Sequence, residues 1–291
     1  MKIPLIRLMH SALVLFASVV VIGCASTQGV MGDQYRESVQ EDTSSSVAIS
    51  KEEDSCKIKG PGAAGRAEHD TALKELRPLA EKGDVKAQYL LGTTYYQNPG
   101  ATIDDMRLNY QEAAQWLRKA AEQGSAEGQA AMGWLYEKGH GVSPDILEAS
   151  RWYERSAKQG LAEAQYSLAL LYHLGRGVNQ NDDLAEKWYL LAAEQGHVCA
   201  QNNLGGLYES RILTLEILIK TTTYKRGDPL KDKKYERAYI EAYRWYSIAA
   251  SNDLKKAIKN RDDLEPKLTR AELAEANKLA REWIEQHQYH R

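Results

Sequence analysis

Hydrophobic and small residues recur with the period of an α-helix along most of the chain. Between residues 162 and 196, one set of such residues follows a spacing of three or four, and a second set resumes that spacing after a glycine-containing break. The first set is Ala164, Leu168, Leu171 and Tyr172, and the second is Ala185, Trp188, Leu191 and Ala192. Residues at this spacing line one face of a helix, so the pattern predicts two amphipathic helices joined by a turn.

The predicted helix pair occurs several times, because the sequence aligns with itself. Residues 126–160 match residues 162–196 at an offset of 36. We place four copies at about 85–124, 125–160, 161–196 and 197–253, preceded by a lone second half that ends at Gly83. The first copy has a connecting loop five residues longer, and the fourth has 21 extra residues within about 210–234. One short pair cannot bury its apolar face alone, so the copies are expected to stack.

The repeating columns carry a defined set of residues. They read Ala-x-x-Gln or Ala-x-Ala-Gln, Leu/Met-Gly four residues later, Tyr, Gly-x-Gly-Val, Ala-x-x-Trp-Tyr and a closing Ala-Ala-x-Gln-Gly. This pattern resembles the Sel1-like repeat, a relative of the tetratricopeptide repeat, over roughly residues 67–253. The resemblance implies an all-α fold in which αα-hairpins stack into a right-handed solenoid that holds other proteins.

Glycine marks a position inside the first helix of the copies, at Gly92, Gly133 and Gly205. Glycine costs about 1 kcal/mol in a helix interior, so a packing reason is expected. Ala169 occupies the same column, which indicates that the column requires a small residue because another helix lies close by.

A second glycine pattern is the Gly-x-Gly turn at residues 139–141 and 175–177. Such a turn can cradle a phosphate, but no Lys or Ser/Thr follows as in a P-loop, so we interpret it as the corner between paired helices. Each second helix then closes with Gln-Gly, which fits a left-handed C-terminal cap. The fourth copy has Asp253 in place of that glycine, so an irregular end is expected there.

The region 254–291 leaves the repeat pattern. Thr269, with Glu272 three residues later, predicts a capping box, and an apolar stripe follows it. We interpret this segment as a C-terminal capping helix that covers the end of the solenoid. A membrane-surface helix is the alternative, and its acidic residues argue against that.

The first 23 residues have the composition of a signal peptide. Lys2 and Arg7 precede an apolar run of about a dozen residues, shorter than the roughly 20 that a membrane-spanning helix needs. The run ends in Val-Ile-Gly-Cys, which resembles the lipobox of bacterial lipoproteins, although Val21 stands where Leu is commoner. The resemblance implies cleavage before Cys24 and lipidation of its thiol. An ordinary signal peptide that contains a cysteine by chance is the alternative.

Residues 24–66 are polar and rich in Ser and Gly, with no apolar period, so they predict a disordered tether from Cys24. Ala25, rather than Asp, follows the cysteine, which in Gram-negative lipoproteins implies the outer membrane. We expect the folded part to face the periplasm. The chain has 38 basic and 40 acidic residues, a net charge of -2, so no overall field favours nucleic acid and no nucleic-acid partner is expected.

A candidate binding groove is predicted on the first helix of each copy. The residue after the Gln and the residues four and seven later lie opposite the Ala/Leu stripe. From these positions the groove candidates are Tyr89, Thr93, Tyr96, Trp134, Glu137, Tyr166, Leu170, His173 and Asn202. On a concave face their rings would anchor a protein partner, whereas packing against the neighbouring copy is the alternative.

The insertion at 210–234 is a second candidate contact, with a neutral insertion as the alternative. It begins apolar and ends basic, and it either lengthens the preceding helix, forms a hairpin around Gly227, or loops out. With Cys24 lipidated, Cys56 and Cys199 remain, and we hypothesise a disulfide between them in the oxidising periplasm.

The sequence carries no recognised catalytic or metal-binding motif. There is no P-loop, no His-x-x-x-His with Glu, no Cys-x-x-Cys and no Ser-x-x-Lys. His287 and His290 are three residues apart near the chain end and are interpreted as solvated, so neither a metal nor a cofactor is expected.

These observations together predict a membrane-anchored scaffold or adaptor of the bacterial cell envelope, which binds protein partners and has no catalytic activity. A cell-wall-directed enzyme that hydrolyses a β-lactam or peptidoglycan is one alternative, because cysteine-rich Sel1-like proteins have been associated with such activity. This chain lacks their regular cysteine pairs. A secreted host-interaction factor is the other alternative.

Overall fold

The fold is that of a computed structural model, described here for residues 63–97, 102–221 and 229–288. No strand occurs in these ranges, and nearly all of their residues are helical. The α-helices are α1 (Ala63–Glu81), α2 (Val85–Gln97), α3 (Ile103–Glu122), α4 (Ala126–Lys138), α5 (Ile146–Lys158), α6 (Ala162–Leu174), α7 (Asp182–Glu194), α8 (Val198–Thr221), α9 (Pro229–Ala250), α10 (Lys255–Leu264) and α11 (Arg270–Gln288). A turn of 3-10 helix, Glu265–Lys267, lies between α10 and α11.

The chain divides into two compact units, of which the first ends at Asp145 and the second begins at Ile146. In the first unit α1 packs on α2, α2 on α3, and α3 on α4. In the second unit the same succession runs from α5 to α9, and α9 then packs on both α10 and α11. The prediction of an all-α fold built from consecutive αα-hairpins is therefore confirmed.

Small residues form much of the buried core, which lets neighbouring helices approach closely. The alanines that lie fully buried in the second unit include Ala149, Ala164, Ala185, Ala200 and Ala242. The tryptophan column, in contrast, is not uniform. Trp152 and Trp245 are buried, whereas Trp188 is only half-buried, so the column belongs to the core in some copies and to its edge in others.

The glycine column inside the first helices is explained by close helix contact. A Cβ atom at Gly92 would lie 2.6 Å from Cγ of Leu117, and one at Gly205 would lie 2.7 Å from the ring of Tyr246. Neither distance leaves room for a methyl group. The structure confirms the expectation that this column requires a small residue.

The Gly-x-Gly turn is a structural corner, as predicted. Gly139 and Gly175 cap α4 and α6 in the left-handed conformation, with φ of 72° and 64°. The second glycine also has positive φ and lies against the backbone of the previous copy. A Cβ at Gly177 would lie 2.6 Å from the carbonyl oxygen of Ile146, and one at Gly141 would overlap the carbonyl of Tyr110. The first glycine of each corner is therefore required by its left-handed conformation, and the second also by the backbone that lies beside it.

The predicted left-handed ends of the second helices are also present. Gly83, Gly124, Gly160 and Gly196 all have φ between 82° and 95°. The expectation of an irregular end at Asp253 is wrong, because this residue keeps the same conformation with φ of 59°. Aspartate is one of the few residues that tolerate this region, so the substitution preserves the geometry at some cost in energy.

A buried glutamine links each first helix to the helix before it. The side-chain amide of Gln165 donates to the carbonyl oxygen of Ala157 at 3.2 Å, and Gln195 donates to the Gln165 side-chain oxygen at 2.7 Å. We call this pair of hydrogen bonds the glutamine bridge. Its first bond recurs at Gln88, Gln129 and Gln201, which donate to Ala80, Ala121 and Ala193. The bridge gives a carbonyl near each helix end a partner inside the core.

The insertion lengthens both helices of the fourth copy, which is the first of the three predicted alternatives. α8 has 24 residues and α9 has 22, whereas α6 and α7 have 13 each. Tyrosine-to-carboxylate contacts join the two lengthened helices: Tyr235 donates to Glu216 at 3.0 Å, and Tyr246 donates to Glu209 at 2.9 Å. Gly227, the centre of the predicted hairpin, lies outside the described residues.

The region after Asp253 contains two helices, where the sequence predicted one. The capping box is confirmed, since the Thr269 N–H donates to Glu272 at 2.7 Å and the Glu272 N–H donates to the Thr269 hydroxyl at 3.3 Å. α11 packs on α9, and its Trp283 is buried and donates to Glu194 on α7 at 2.9 Å. α11 therefore contacts both helices α7 and α9.

Several predictions concern residues outside the described ranges. They are the signal peptide at 1–23, the lipidated Cys24, residues 24–62 of the predicted tether, Cys56 and His290. The predicted end of the tether at residue 66 is wrong, because α1 begins at Ala63. In the described part of the chain, no helix is both long enough and apolar enough to span a membrane.

Candidate functional site

The nine predicted groove residues do not share one environment. Thr93, Tyr166 and Asn202 have only 2%, 3% and 5% of their surface exposed, and each contacts the protein itself. The Thr93 hydroxyl donates to the Leu90 carbonyl at 2.9 Å, Tyr166 stacks on His197, and Asn202 accepts a hydrogen bond from Asn260 at 3.2 Å. At these three positions the structure favours the packing alternative over an open groove.

The other six groove candidates, Tyr89, Tyr96, Trp134, Glu137, Leu170 and His173, are half-buried. Glu137 pairs with its neighbour Lys138, and His173 pairs with Asp182 at 3.0 Å. Burial raises the pKa of Tyr89, with a smaller contribution from Glu127. Tyr89, Tyr96, Trp134 and Glu137 lie in the first unit, and Leu170 and His173 lie in the second. Of the six, only Tyr96 and Trp134 are brought into a shared ring contact.

Tyr96 and Trp134 belong to a cluster of four rings, which Tyr110 and His140 complete. The Tyr96 ring meets Trp134 edge-on at 5.0 Å and stacks on Tyr110 at 5.1 Å between centroids. The His140 ring stacks on Tyr110 at 4.5 Å and meets Trp134 edge-on at 5.1 Å. All four side chains are half-buried, so the cluster is both held in place and accessible. We call these four residues the aromatic corner.

A hydrogen bond joins two members of the aromatic corner. The Tyr96 hydroxyl and His140 Nδ1 are 3.2 Å apart. Burial lowers the pKa of His140, and Lys138 lowers it further, so the imidazole is neutral at pH 7. Burial also raises the pKa of Tyr96, which keeps its proton. Which of the two groups donates depends on which ring nitrogen of the neutral imidazole carries the proton.

The aromatic corner borders an open cleft of about 420 Å³. Its lining residues are Met106, Arg107, Tyr110, Gln111, Gly139, Gly141, Val142 and Ser143. One wall is the first part of α3, and the other is the Gly-x-Gly corner after α4. Tyr110 belongs to both the cleft and the ring cluster, so a ligand in the cleft would contact the rings.

The cleft exists because the first copy departs from the regular repeat. α3 has 20 residues, whereas α5 and α7 have 13. Tyr110 corresponds to Ile146, the first residue of α5, so α3 begins seven residues earlier in the repeat register. A capping box between Thr102 and Asp105 stabilises this early start. The added helical turns carry Met106 and Arg107 and build the extra wall.

Sequence reasoning missed Tyr110 and His140. His140 occupies the variable position of Gly-x-Gly, where the next copy has Arg176, and Tyr110 lies on a helix whose early start was not predicted. The five-residue lengthening of the first loop was the available signal, because it separates this copy from the others.

Few side chains in the described residues could bind a metal ion or react as a thiol. No group of three or more His, Cys, Asp or Glu side chains converges there as a metal site would require. Cys199 is disulfide-bonded. The other two cysteines, Cys24 and Cys56, lie outside the described residues, so the pairing of Cys56 with Cys199 stays a prediction.

A comparison with known families decides the identity of the repeat. The Sel1 repeat profile matches residues 85–125, 126–161, 162–197 and 230–254. A solved Sel1 repeat protein from Oxalobacter formigenes is 41% identical over 45% of this chain and 96% of its own, with a TM-score of 0.40. The chain belongs to the Sel1 repeat family. Sel1 repeats typically mediate protein–protein interaction, and their fold is that of an interaction scaffold.

A second solved structure is similar over a longer region. It is c5321, described as a protective antigen of uropathogenic Escherichia coli strains with an SLR fold, and it is 27% identical over 76% of this chain, with a TM-score of 0.45. The chain spans 57% of the length of that protein. No curated protein matches this Sel1 repeat chain.

Proposed function

We propose that this Sel1 repeat protein is a membrane-anchored scaffold of the bacterial cell envelope that binds a partner protein at the aromatic corner and catalyses no reaction. The observation that carries the proposal is the cluster of four half-buried rings beside an open cleft, where the second helix of the first copy begins early. Trp and Tyr dominate the energetics of protein interfaces, because they bury a large area at a low cost in conformational entropy.

The rigidity of the aromatic corner supports a binding role. Each ring contacts at least two others, and the Tyr96–His140 hydrogen bond fixes the orientation of two of them. A partner that docks there would not have to order these side chains, so less binding free energy is lost. Loosely held surface rings would lack this advantage.

The amino-terminal sequence supports the membrane anchor. A positive start, a short apolar run and Gly23 before Cys24 resemble a lipoprotein signal, with Val21 where Leu is commoner. Two or more acyl chains on Cys24 would anchor the protein stably. The segment between Cys24 and the start of α1 at Ala63 would hold the repeats away from the outer membrane and within the periplasm.

Crosslinking in cells tests partner binding. We would replace Trp134 by Ala and, as a matched control, make Leu170→Ala, since Leu170 occupies the same repeat column in a later copy. Crosslinked partners identified by mass spectrometry should disappear with Trp134→Ala and persist with Leu170→Ala. A partner set that is identical in the two variants and the unmodified protein would refute docking at the aromatic corner.

Two further measurements test the remaining parts of the proposal. Labelled palmitate should enter the unmodified protein and be lost with Cys24→Ser, and label retained in that variant would exclude this anchor. Incubation with a chromogenic β-lactam and with peptidoglycan should give no turnover. Turnover that a point substitution abolishes would instead support the cell-wall enzyme.

A further inference from the structure

We infer that the outer face of α7 is a contact surface between two copies of this chain, which pair about a two-fold axis with their α7 helices antiparallel. Lys187, Trp188, Leu190, Leu191 and Glu194 define this surface, which we call the α7 face. It lies in the second unit, whereas the aromatic corner lies in the first. The inference therefore goes beyond the proposed function and does not depend on it.

Two exposed leucines distinguish α7 from the other second helices. Leu190 and Leu191 are adjacent and have 38% and 42% of their surface exposed. At the same two repeat positions, α5 has Glu154 and Arg155. Apolar surface that stays in water does not stabilise the single chain, whereas a partner that covers it does. The leucine pair therefore marks α7 as a helix that a partner covers.

The same change uncovers the tryptophan of α7. In α5 the guanidinium of Arg155 lies 4.6 Å from the centroid of the Trp152 ring, and a lysine covers the equivalent ring in α3. Leu191 stands at that position in α7, and the half-buried Trp188 makes no hydrogen bond, ring contact or cation contact within the described part of the chain. Residues three apart on a helix adjoin each other, so the Trp188 ring extends the apolar surface of the leucines.

The charges at the ends of the α7 face are self-complementary. Lys187 and Glu194 are both exposed, and the leucine pair lies midway between them. When two α7 helices run antiparallel about an axis through this midpoint, Lys187 lies level with Glu194 of the second copy. Leu190 then lies level with Leu191 of the second copy. A two-fold contact requires such a match, because each patch meets an identical patch.

Both charges are available to a second copy. Lys187 has no ion pair or hydrogen bond among the described residues. The indole N–H of Trp283 donates to Oε2 of Glu194 at 2.9 Å, and Nε2 of His287 lies 3.6 Å from the same oxygen. Oε1 of Glu194 has no partner in that part of the chain. This oxygen can accept the second lysine while the contacts to α11 stay in place.

The equivalent face of α5 lacks this match. It has Arg151 and Lys158 at the two positions that hold lysine and glutamate in α7, so an antiparallel pair would bring cations level with each other. Both cations are already paired within their own helix, Arg151 with Glu148 at 3.2 Å and Lys158 with Glu154 at 2.7 Å. α5 has the surface of a solvated helix, and it provides the internal comparison for α7.

An anionic membrane surface fits the α7 face less well. The exposed side of α7 also carries Asp182 and Asp183, so acidic groups outnumber its single cation, Lys187. Anionic lipids attract clusters of lysine and arginine, which this helix does not offer.

Cysteine crosslinking tests the pairing on the full chain in detergent micelles. Leu190→Cys places a thiol beside the two-fold axis, so mild oxidation should give a disulfide-linked homodimer on a non-reducing gel. Glu154→Cys, at the same repeat position of α5, is the matched control. It should remain a monomer under the same oxidation, as should the unmodified protein.

Sedimentation equilibrium in density-matched micelles measures the affinity. The unmodified chain should dimerise reversibly. Leu190→Arg combined with Leu191→Lys installs the residues that α3 has at these positions, and should raise the dimer Kd at least tenfold, by roughly one order of magnitude or more, because the apolar centre is lost. Lys187→Glu should raise it about three- to tenfold at low salt and less at high salt, since it sets like charges opposite each other.

Several results would overturn the inference. They are a chain that stays monomeric at every concentration measured, a dimer whose Kd the double leucine substitution leaves unchanged, and equal crosslinking of the Leu190→Cys and Glu154→Cys variants. Crosslinks from the Leu190→Cys variant to other proteins, without the homodimer, would assign the α7 face to a different partner and overturn it as well. Circular dichroism of each variant checks that the helices have formed.

Discussion

The third and fourth hairpins, α6–α7 and α8–α9, differ in the residues and hydrogen bonds at the end of the second helix. In the third hairpin, Gln195 completes the glutamine bridge to Gln165, and Gly196 ends the helix. In the fourth, Asn252 and Asp253 stand at those positions. The side-chain oxygen of Gln201 is then buried without a hydrogen-bond partner among the described residues. Asparagine is one methylene shorter than glutamine, and its amide donates to Ile248 at 3.1 Å.

The fourth hairpin buries its tryptophan more completely than the third. Tyr246 fills the space that Gly205 leaves open, and Trp245 is 1% exposed, whereas the equivalent Trp188 is half-buried. The comparison indicates that the hydrogen-bonded end and the aromatic core are separate sources of stability. A copy can weaken one of them if it strengthens the other.

The largest expected effect is at the tryptophan column. Trp245→Ala should lower the free energy of unfolding by about 3–5 kcal/mol, because it empties a fully buried site. Trp188→Ala should cost about 1–2 kcal/mol, since that ring keeps contact with water. Denaturant unfolding followed by circular dichroism measures both. Equal losses would show that the two hairpins do not differ in their aromatic core.

The second effect concerns the two kinds of glycine in the third hairpin. Gly177→Ala should cost about 3 kcal/mol, because the new Cβ would meet the Ile146 carbonyl at 2.6 Å in a left-handed residue. Gly196→Ala should cost only about 1–2 kcal/mol, since no atom lies within 4 Å and the conformational strain acts alone. Thermal unfolding of the two variants makes the comparison. A cost at Gly196 as large as at Gly177 would argue against backbone contact as the reason for the corner glycine.

The third effect tests the glutamine bridge directly. Gln165→Met should cost about 1–3 kcal/mol, because the Ala157 carbonyl loses its bond to the side chain and the Gln195 amide keeps only its bond to Leu191. Gln201→Met should cost less, since the oxygen that it removes accepts no bond. Unfolding midpoints of both variants would reveal the difference. The idea fails if Gln201→Met is the more harmful substitution.

The smallest effects are gains in the fourth hairpin. Asn252→Gln should raise the free energy of unfolding by about 1 kcal/mol by donating to Gln201, and Asp253→Gly should raise it by about 1 kcal/mol by relieving strain at φ of 59°. The reverse change in the third hairpin, Gln195→Asn, should lower it. Calorimetry on the three variants checks the signs, and a loss in Asn252→Gln would contradict the proposed bridge geometry.

The fold could be predicted from the sequence because the same pattern of helix-forming and small residues occurs in several copies. The 36-residue offset located the helices, and the shared column of Gly92, Ala169 and Gly205 revealed a close contact without any coordinates. The role of the buried Gln column was not predicted, since its partner is a backbone carbonyl, which no sequence column displays. The left-handed Asp253 was missed for a related reason, as conformation there is set by the helix end and not by the residue type.

The candidate site was predicted only in part, because it lies where the repeat is broken. Tyr96 and Trp134 follow from their repeat positions, whereas Tyr110 and His140 join them through the early start of α3. Periodicity cannot report a contact that only one copy makes. The same periodicity suggested groove positions at Thr93, Tyr166 and Asn202, which tertiary packing buries.

The contact between each corner glycine and the preceding hairpin has a consequence for how this chain accepts insertions. Gly141 and Gly177 lie against backbone atoms of the second helix of the preceding copy. A copy that contains the corner therefore has a fixed connection length. The two copies that contain the corner both have 36 residues. The first and fourth copies lack the Gly-x-Gly corner, and these are the copies with extra residues. New surface therefore arises in this protein where the corner is absent.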